Sequence, residues 1–238
     1  MEAKAFEWSG FCPICATNVV FHADDPWFRD HLLCSGCGSI PRERAMMLVI
    51  ESVAPDWRKM RIHESSPVER GTSVRLRNEC TGYVATQMFP GIPSGSTFRD
   101  VRCEDLERQT FGDCVFDLVV TQDVMEHVFD PAAAYREIWR TLAPGGMHIH
   151  TTPIKNHVKS VRRAERANDG SVRHLLPAVY HGNPVDSSGA LVTFDWGYDL
   201  PELIVGWAPF DLEVRRFNDR RRGIVAAMTD VIICTKLP

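Results

Sequence analysis

Phe116-Asp-Leu-Val-Val-Thr-Gln-Asp-Val-Met-Glu-His-Val128 runs, one residue on, into Asp130-Pro-Ala-Ala-Ala-Tyr-Arg-Glu-Ile-Trp-Arg-Thr-Leu142, then Ala143-Pro-Gly-Gly146 and Met147-His-Ile-His-Thr151. Asp117–Thr121 is apolar towards both faces, as a strand inside a parallel sheet requires. Asp130 is placed to cap a helix and Pro131 to occupy its first turn. Ala134, Tyr135, Ile138, Trp139 and Leu142 recur at helical spacing on one face. Pro144-Gly-Gly146 stops the helix, and Met147–Thr151 is the next strand. Strand, loop, helix and strand within about forty residues is one unit of an open α/β sheet.

The alternation extends outward. Arg61–Glu64 reads as a short strand, residues 68–78 as a helix, Gly82–Gln87 as a strand, and Thr97–Val101 as one more. Upstream, residues 41–58 carry Ala45, Leu48, Val49 and Val53 at helical spacing behind Pro41. Downstream, Asp211–Phe217 and Ala227–Lys236 suit a closing antiparallel pair around Arg220-Arg-Arg222. The polar residues 155–195, rich in proline, glycine and histidine, read as an inserted lid or substrate loop. Sheets of this class bind ligands at the carboxyl ends of their strands, so the residues just after each strand are the ones to examine.

Composition bounds the function. Of 238 residues, 44% are hydrophobic and 24% charged, the mixture of a globular chain rather than a disordered one. A net charge of −4 argues against coating nucleic acid by charge alone. No apolar stretch is long enough to span a membrane. Met1–Trp8 carries acids and no apolar run, so it does not read as a secretory signal, and the expected location is cytoplasmic. There the eight cysteines are thiols or metal ligands before they are disulfides.

Four of those cysteines form one pattern. Cys12-Pro-Ile-Cys15 and Cys34-Ser-Gly-Cys37 are two CxxC knuckles with a spacer inside the zinc-ribbon range. Two knuckles complete a tetrahedron around one Zn2+ ion, which would supply much of the folding energy of residues 1–41. Four thiolates leave no open position, so the ion's expected role is structural. His22 and His31 lie in the spacer as alternative ligands. Cys80, Cys103, Cys114 and Cys234 show no pairing pattern and read as core residues.

The turn after the first strand of the sheet is Glu64-Ser-Ser-Pro-Val-Glu-Arg-Gly71. A pyrophosphate cofactor needs early glycines and free N–H groups here, and Pro67 lacks one. A cofactor with a cationic end suits Glu64 better. The string from Phe116 to Thr151 resembles class I S-adenosylmethionine-dependent methyltransferases, whose "FDLV…EHV…P…L…LxPGG" stretch is the fourth strand, its loop, the next helix and the fifth strand. The resemblance implies a Rossmann-like, mostly parallel seven-stranded sheet with helices on both faces over residues 42–238, behind the ribbon. It implies that Glu64, Ser65, Ser66 and Pro67 surround the methionine part of S-adenosylmethionine, Gln87 meets the ribose and Met88 the adenine. Glu104, Asp105 and Leu106 match the segment that reads the adenine edge. Thr121, Gln122 and Asp123 would floor the pocket, with His127 near cofactor or substrate.

A hydroxyl or amine acceptor also needs a base, and histidine is the natural one near pH 7. His127, His174 and His181 are the candidates, the last two in the lid; His150 reads as a packed strand residue. Arg162, Arg163 and Arg166, with Arg215, Arg216 and Arg220–Arg222, are two basic clusters, either solvated faces or anion sites. Three functions follow: O-methylation of a small molecule or glycan intermediate, methylation of RNA gripped by the zinc module, or a degenerate domain that binds without catalysis. A second copy of the chain, forming a homodimer, stays open as a partner.

Overall fold

The computed structural model describes residues 6–183, 185 and 187–238. The reading of residues 1–5 as a non-secretory start, and of Pro184 as a lid turn former, falls outside them. The cysteine module is a three-stranded antiparallel sheet, β1 (Phe6–Cys12), β2 (Thr17–Ala23) and β3 (Leu33–Cys34), with one helical turn, α1 (Phe28–His31), ahead of β3. The β1–β2 pairing runs from Phe6↔Ala23 to Cys12↔Thr17, which sets the first knuckle at the hairpin tip. Helix α2 (Pro41–Val53) leads out of the module. It ends short of the expected residue 58, because Ala54, which precedes Pro55, leaves the helical region (φ −132°, ψ 58°); Trp57–Lys59 forms a separate 3-10 turn.

Then come β4 (Arg61–Ser65), α3 (Gly71–Glu79), β5 (Gly82–Gln87), β6 (Thr97–Phe98), β7 (Val101–Cys103), β8 (Phe116–Gln122), α4 (Pro131–Thr141) and β9 (Leu142–Thr151). The lid holds six short strands, β10 (Val161–Arg162), β11 (Ala164–Arg166), β12 (Val172–His174), β13 (Tyr180–His181), β14 (Ala190–Leu191) and β15 (Phe194–Asp195). They pair antiparallel as β10–β15, β11–β12 and β13–β14. Helix α5 (Leu200–Trp207), β16 (Phe210–Arg215) and β17 (Val231–Lys236) close the chain.

The central sheet has the order β16-β17-β9-β8-β4-β5-β7-β6. Strands β7, β5, β4, β8 and β9 are parallel, and β17 runs antiparallel to both β9 and β16. Among the described residues it has eight strands, not the expected seven. The eighth is β6, folded back on β7 by Arg99 and Asp100, whose φ of 51° and 62° suit the left-handed positions of a tight hairpin turn. Strand β9 also begins earlier than expected, at Leu142. Phe116 faces Leu142 but Leu118 faces Met147, so Ala143–Gly146 bulges out of the ladder.

Alternate β8 residues divide the core. Leu118 and Val120 pack on α2 and the cysteine module, with Val231 and Ile233; Val119 packs on α4 and α5, with Ile232 and Cys234. Asp130 Oδ1 accepts from Ala133 N at 3.0 Å, the cap its position promised. Cys80, Cys103 and Cys234 are buried as expected, whereas Cys114, in the turn before β8, is exposed.

Pro41-Arg-Glu-Arg44 ties the module to the sheet. Arg44 is fully buried, donates to the carbonyls of Ser39, Leu32 (2.9 Å) and Gly223 (2.7 Å), and lies 4.7 Å from the Phe21 ring centroid. Glu43 accepts from Ile40 N at 3.1 Å and from Arg70 at 2.8 Å. Among the described residues, no helix is long and apolar enough to cross a membrane.

Candidate functional site

Strand order reverses between β4 and β8, and a cleft of about 1220 Å³ opens at the carboxyl ends of the parallel strands. That exceeds the usual range of a single ligand pocket, about 300–1,000 Å³, and leaves room for a cofactor beside an acceptor. Ten of the thirteen residues assigned to the cofactor line it: Ser65, Ser66, Gln87, Met88, Glu104, Asp105, Leu106, Gln122, Asp123 and His127. Glu64, Pro67 and Thr121 do not.

Glu64 sits one layer down. It is fully buried and accepts from Ser73 Oγ (2.6 Å), Tyr83 Oη (2.8 Å) and Gln122 Nε2 (3.0 Å). Burial pushes its carboxyl above the ordinary value against those three hydrogen bonds. It therefore supports the floor of the cleft through Gln122. Thr121 is likewise buried, within 3.0 Å of His148 Nε2. The turn without early glycines is made by Ser66, which adopts φ 57° and donates its N–H to Thr86 O at 2.7 Å. A left-handed serine performs the bend that glycine makes at no steric cost.

On the β5 side, half-buried Gln87 and exposed Met88 form one wall. Asp105 Oδ1 accepts from Glu107 N at 2.9 Å, which fixes the carboxylate at the rim. Glu104 is nearly fully buried and takes Arg102 (2.8 Å), Thr110 Oγ1 (2.5 Å) and Thr110 N (2.9 Å), so its role there is to hold the loop.

Asp123, with φ 52°, ends β8 in a way the sequence did not announce. Its Oδ2 meets Arg29 Nη2 at 2.6 Å and Arg42 Nε at 2.9 Å, while Oδ1 accepts from Thr151 at 3.0 Å. Burial alone would raise its pKa; Arg42 and Arg29 outweigh that and hold the carboxyl below the ordinary value. Trp27, Arg29, Asp30 and Arg42 line the same cleft, so the cysteine module forms part of its wall.

The opposite wall carries the histidines. His127 Nδ1 lies 2.8 Å from Leu191 O, and its Nε2 lies 3.8 Å from Glu126 Oε1. His181 Nδ1 lies 3.7 Å from the same oxygen, and the two rings meet edge to face at 5.1 Å. The lid strands β13 and β14 supply His181 and Leu191, which is how residues 54 and 64 positions after His127 reach it. His174, by contrast, is exposed on β12 and does not line the cleft. His150 is fully buried, its pKa pushed down to about 3 by burial. Of the two arginine clusters only Arg166 reaches the cleft. Arg163 pairs with Asp195, Arg215 with Glu213, Arg216 with Asp230 and Arg222 with Asp219.

The sulfurs of Cys12, Cys15, Cys34 and Cys37 lie within 4.8 Å of one another; Cys12–Cys37 is 3.9 Å and Cys15–Cys34 is 3.8 Å. Zn–S bonds of about 2.3 Å at tetrahedral angles put sulfurs about 3.8 Å apart. Backbone N–H groups of Cys15 and Gly36 point at Cys12 and Cys34 sulfurs (3.5 and 3.4 Å), as thiolates require. Hydrogen bonding from Cys12 lowers the Cys34 thiol, while hydrogen bonding to Cys34 and Cys37 raises Cys12. The donor set fits a tetrahedral ion. Neither His22 nor His31 belongs to the cluster.

Residues 85–150 match the family described as "Methyltransferase domain". An S-adenosylmethionine-dependent methyltransferase from Mesorhizobium loti superposes with a TM-score of 0.52 at 12% identity, over 80% of this chain and 97% of that one. The YcgJ protein from Bacillus subtilis superposes at 0.50 and 10% identity, over 82% and 98%. No curated protein matches the chain. Residues 85–150 thus match a methyltransferase domain, and the α/β fold is the one shared with these two solved structures.

Proposed function

We propose that the chain transfers a methyl group from S-adenosylmethionine to a hydroxyl of a small molecule or glycan intermediate. One observation carries the reading: a single cleft holds cofactor-type residues on one wall and His127 and His181 on the other, backed by the buried Glu126. Ser65, Ser66, Gln87, Met88, Asp105 and Leu106 hold the cofactor, Asp105 on the adenine edge. The sulfonium methyl is already activated, so the protein's main task is to align the acceptor with the C–S bond. As the C–O bond forms, the C–S bond breaks and its electron pair returns to sulfur. The acceptor's proton leaves on the side of the cleft that carries His127 and His181. Four cysteines hold a structural Zn2+, and the module it folds positions Arg29 and Arg42 against Asp123.

The alternative in which the module grips RNA has less support, since Arg29 is spent on Asp123 and Asp30. Radiolabelled methyl transfer to a panel of polyhydroxylated small molecules and glycans, run beside total RNA, tests the proposal. Label in a small acceptor, abolished by His181→Ala, is expected; label in RNA alone refutes it.

A further inference from the structure

We propose that Glu126, His127 and His181 form a second metal site, for a divalent cation, facing the acceptor side of the cleft. The first observation is an orphan. Glu126 is 1% exposed and its Oε1 has no hydrogen-bond partner, while Oε2 accepts from Thr152 Oγ1 at 2.9 Å. A buried carboxylate oxygen without a donor costs free energy unless a cation or proton completes it.

The second observation is the direction of the imidazoles. Leu191 O can only accept, so the Nδ1 of His127 at 2.8 Å carries the proton. In the neutral ring the lone pair is then on Nε2, which lies 3.8 Å from Glu126 Oε1. Two acceptors face each other, and His181 Nδ1 adds a third donor atom 3.7 Å from the same oxygen. This is the arrangement metal-bound histidines adopt, with the far nitrogen anchored on a carbonyl. Donors bound at about 2.1 Å and near-tetrahedral angles lie about 3.4 Å apart, so small side-chain rotations close the site.

The frame around it is fixed. The Glu126 carbonyl accepts from Thr193 N at 2.8 Å and from Thr193 Oγ1 at 3.0 Å, which ties the main chain at Glu126 to the lid. Two imidazoles and one carboxylate favour Mn2+, Fe2+, Co2+, Ni2+ or Zn2+ over Mg2+ and leave coordination positions open. Those positions suit an acceptor with two neighbouring oxygens, whose hydroxyl the cation would acidify so that its proton passes to water. The acceptor role rests on the proposed methyl transfer; the metal site does not.

Mn2+ is the probe, because the hard ion discriminates against the thiolate cluster. The full zinc-loaded chain is titrated with Mn2+ and bound metal is read by electron paramagnetic resonance, without S-adenosylmethionine. One bound Mn2+ per chain is expected, with affinity falling ~10-fold or more in Glu126→Gln and in His181→Ala. His181 is half-exposed, so that variant folds even if Glu126→Gln does not. Absence of Mn2+ and Co2+ binding at millimolar concentration, or binding that both variants leave unchanged, overturns the site. So does an imidazolium at His127, seen by nuclear magnetic resonance with both metals present. Failure of methyl transfer with the metal bound would instead count against the proposed reaction.

Discussion

Asp123→Asn removes one charge and almost nothing else. Asparagine tolerates the left-handed backbone at this position about as well as aspartate, so the φ of 52° is not the variable. What goes is the anion between Arg29 and Arg42. The side chains of Arg29 and Asp123 are 7% and 13% exposed, and the contacts are 2.6 and 2.9 Å, so screening by water is slight. Breaking a buried pair from one side costs about 3–5 kcal/mol, because the other charge is stranded. Two features reduce that here. Arg42 keeps Asp30 at 2.7 Å and Arg29 keeps it at 3.5 Å, and the new amide oxygen still accepts. A loss of about 2–3 kcal/mol follows, or a fall in Tm of about 5–10 °C in a chain of this size. Thermal and urea unfolding of the zinc-loaded protein read it. Combining Asp123→Asn with Arg29→Met should recover about 1–2 kcal/mol of the summed losses, since the stranded cation is gone. A fall in Tm below about 1 °C, or strictly additive losses, would refute the view that the module is clamped onto β8 through this carboxylate.

Two other tests follow from burial and from the thiols. His63 and His150 are held neutral by burial, each with its pKa lowered to about 3, so they bind fewer protons folded than unfolded. Their stabilisation is complete above about pH 6.5 and is lost as pH falls towards 3, roughly 2 kcal/mol each by pH 5. His150→Gln should therefore shrink the stability difference between pH 7.5 and pH 5 by about that amount, whereas an unchanged difference contradicts neutral burial. Cys15→Ser should release the zinc and expose β1–β3 to hydrogen exchange, and full metal retention would contradict a four-thiolate site.

Much of the sheet was legible because strand and helix periods are local. Phe116–Thr151 carries its own strand, cap, helix stop and next strand, and each of those lies near where its residues put it. Boundaries moved where one residue overrode a period: Pro55 cut α2 short, and Arg99-Asp100 folded an edge strand back into the sheet. The cysteine spacing marked the four-sulfur cluster directly. The partners of Asp123 were not legible, because Arg29 lies 94 positions upstream and the spacing between the two carries no signal. Pro41 marked the start of α2, but the separate anchorages of Arg42, Glu43 and Arg44 needed coordinates. Glu64 looked like a cofactor ligand because it ends a strand, yet Ser73, Tyr83 and Gln122 enclose it. His181 and His174 looked alike in sequence. Only the pairing of β13 with β14 separates the one that meets His127 from the one that faces solvent.

Calorimetric titration with S-adenosylhomocysteine, on the wild-type chain and on Asp105→Asn, bears most directly on whether this crest of β-strands grips a sulfur-bearing nucleoside. Saturable binding of one molecule per chain, weakened when the Asp105 charge is removed but its turn to Glu107 is kept, is the expected result. No heat at millimolar ligand would contradict it.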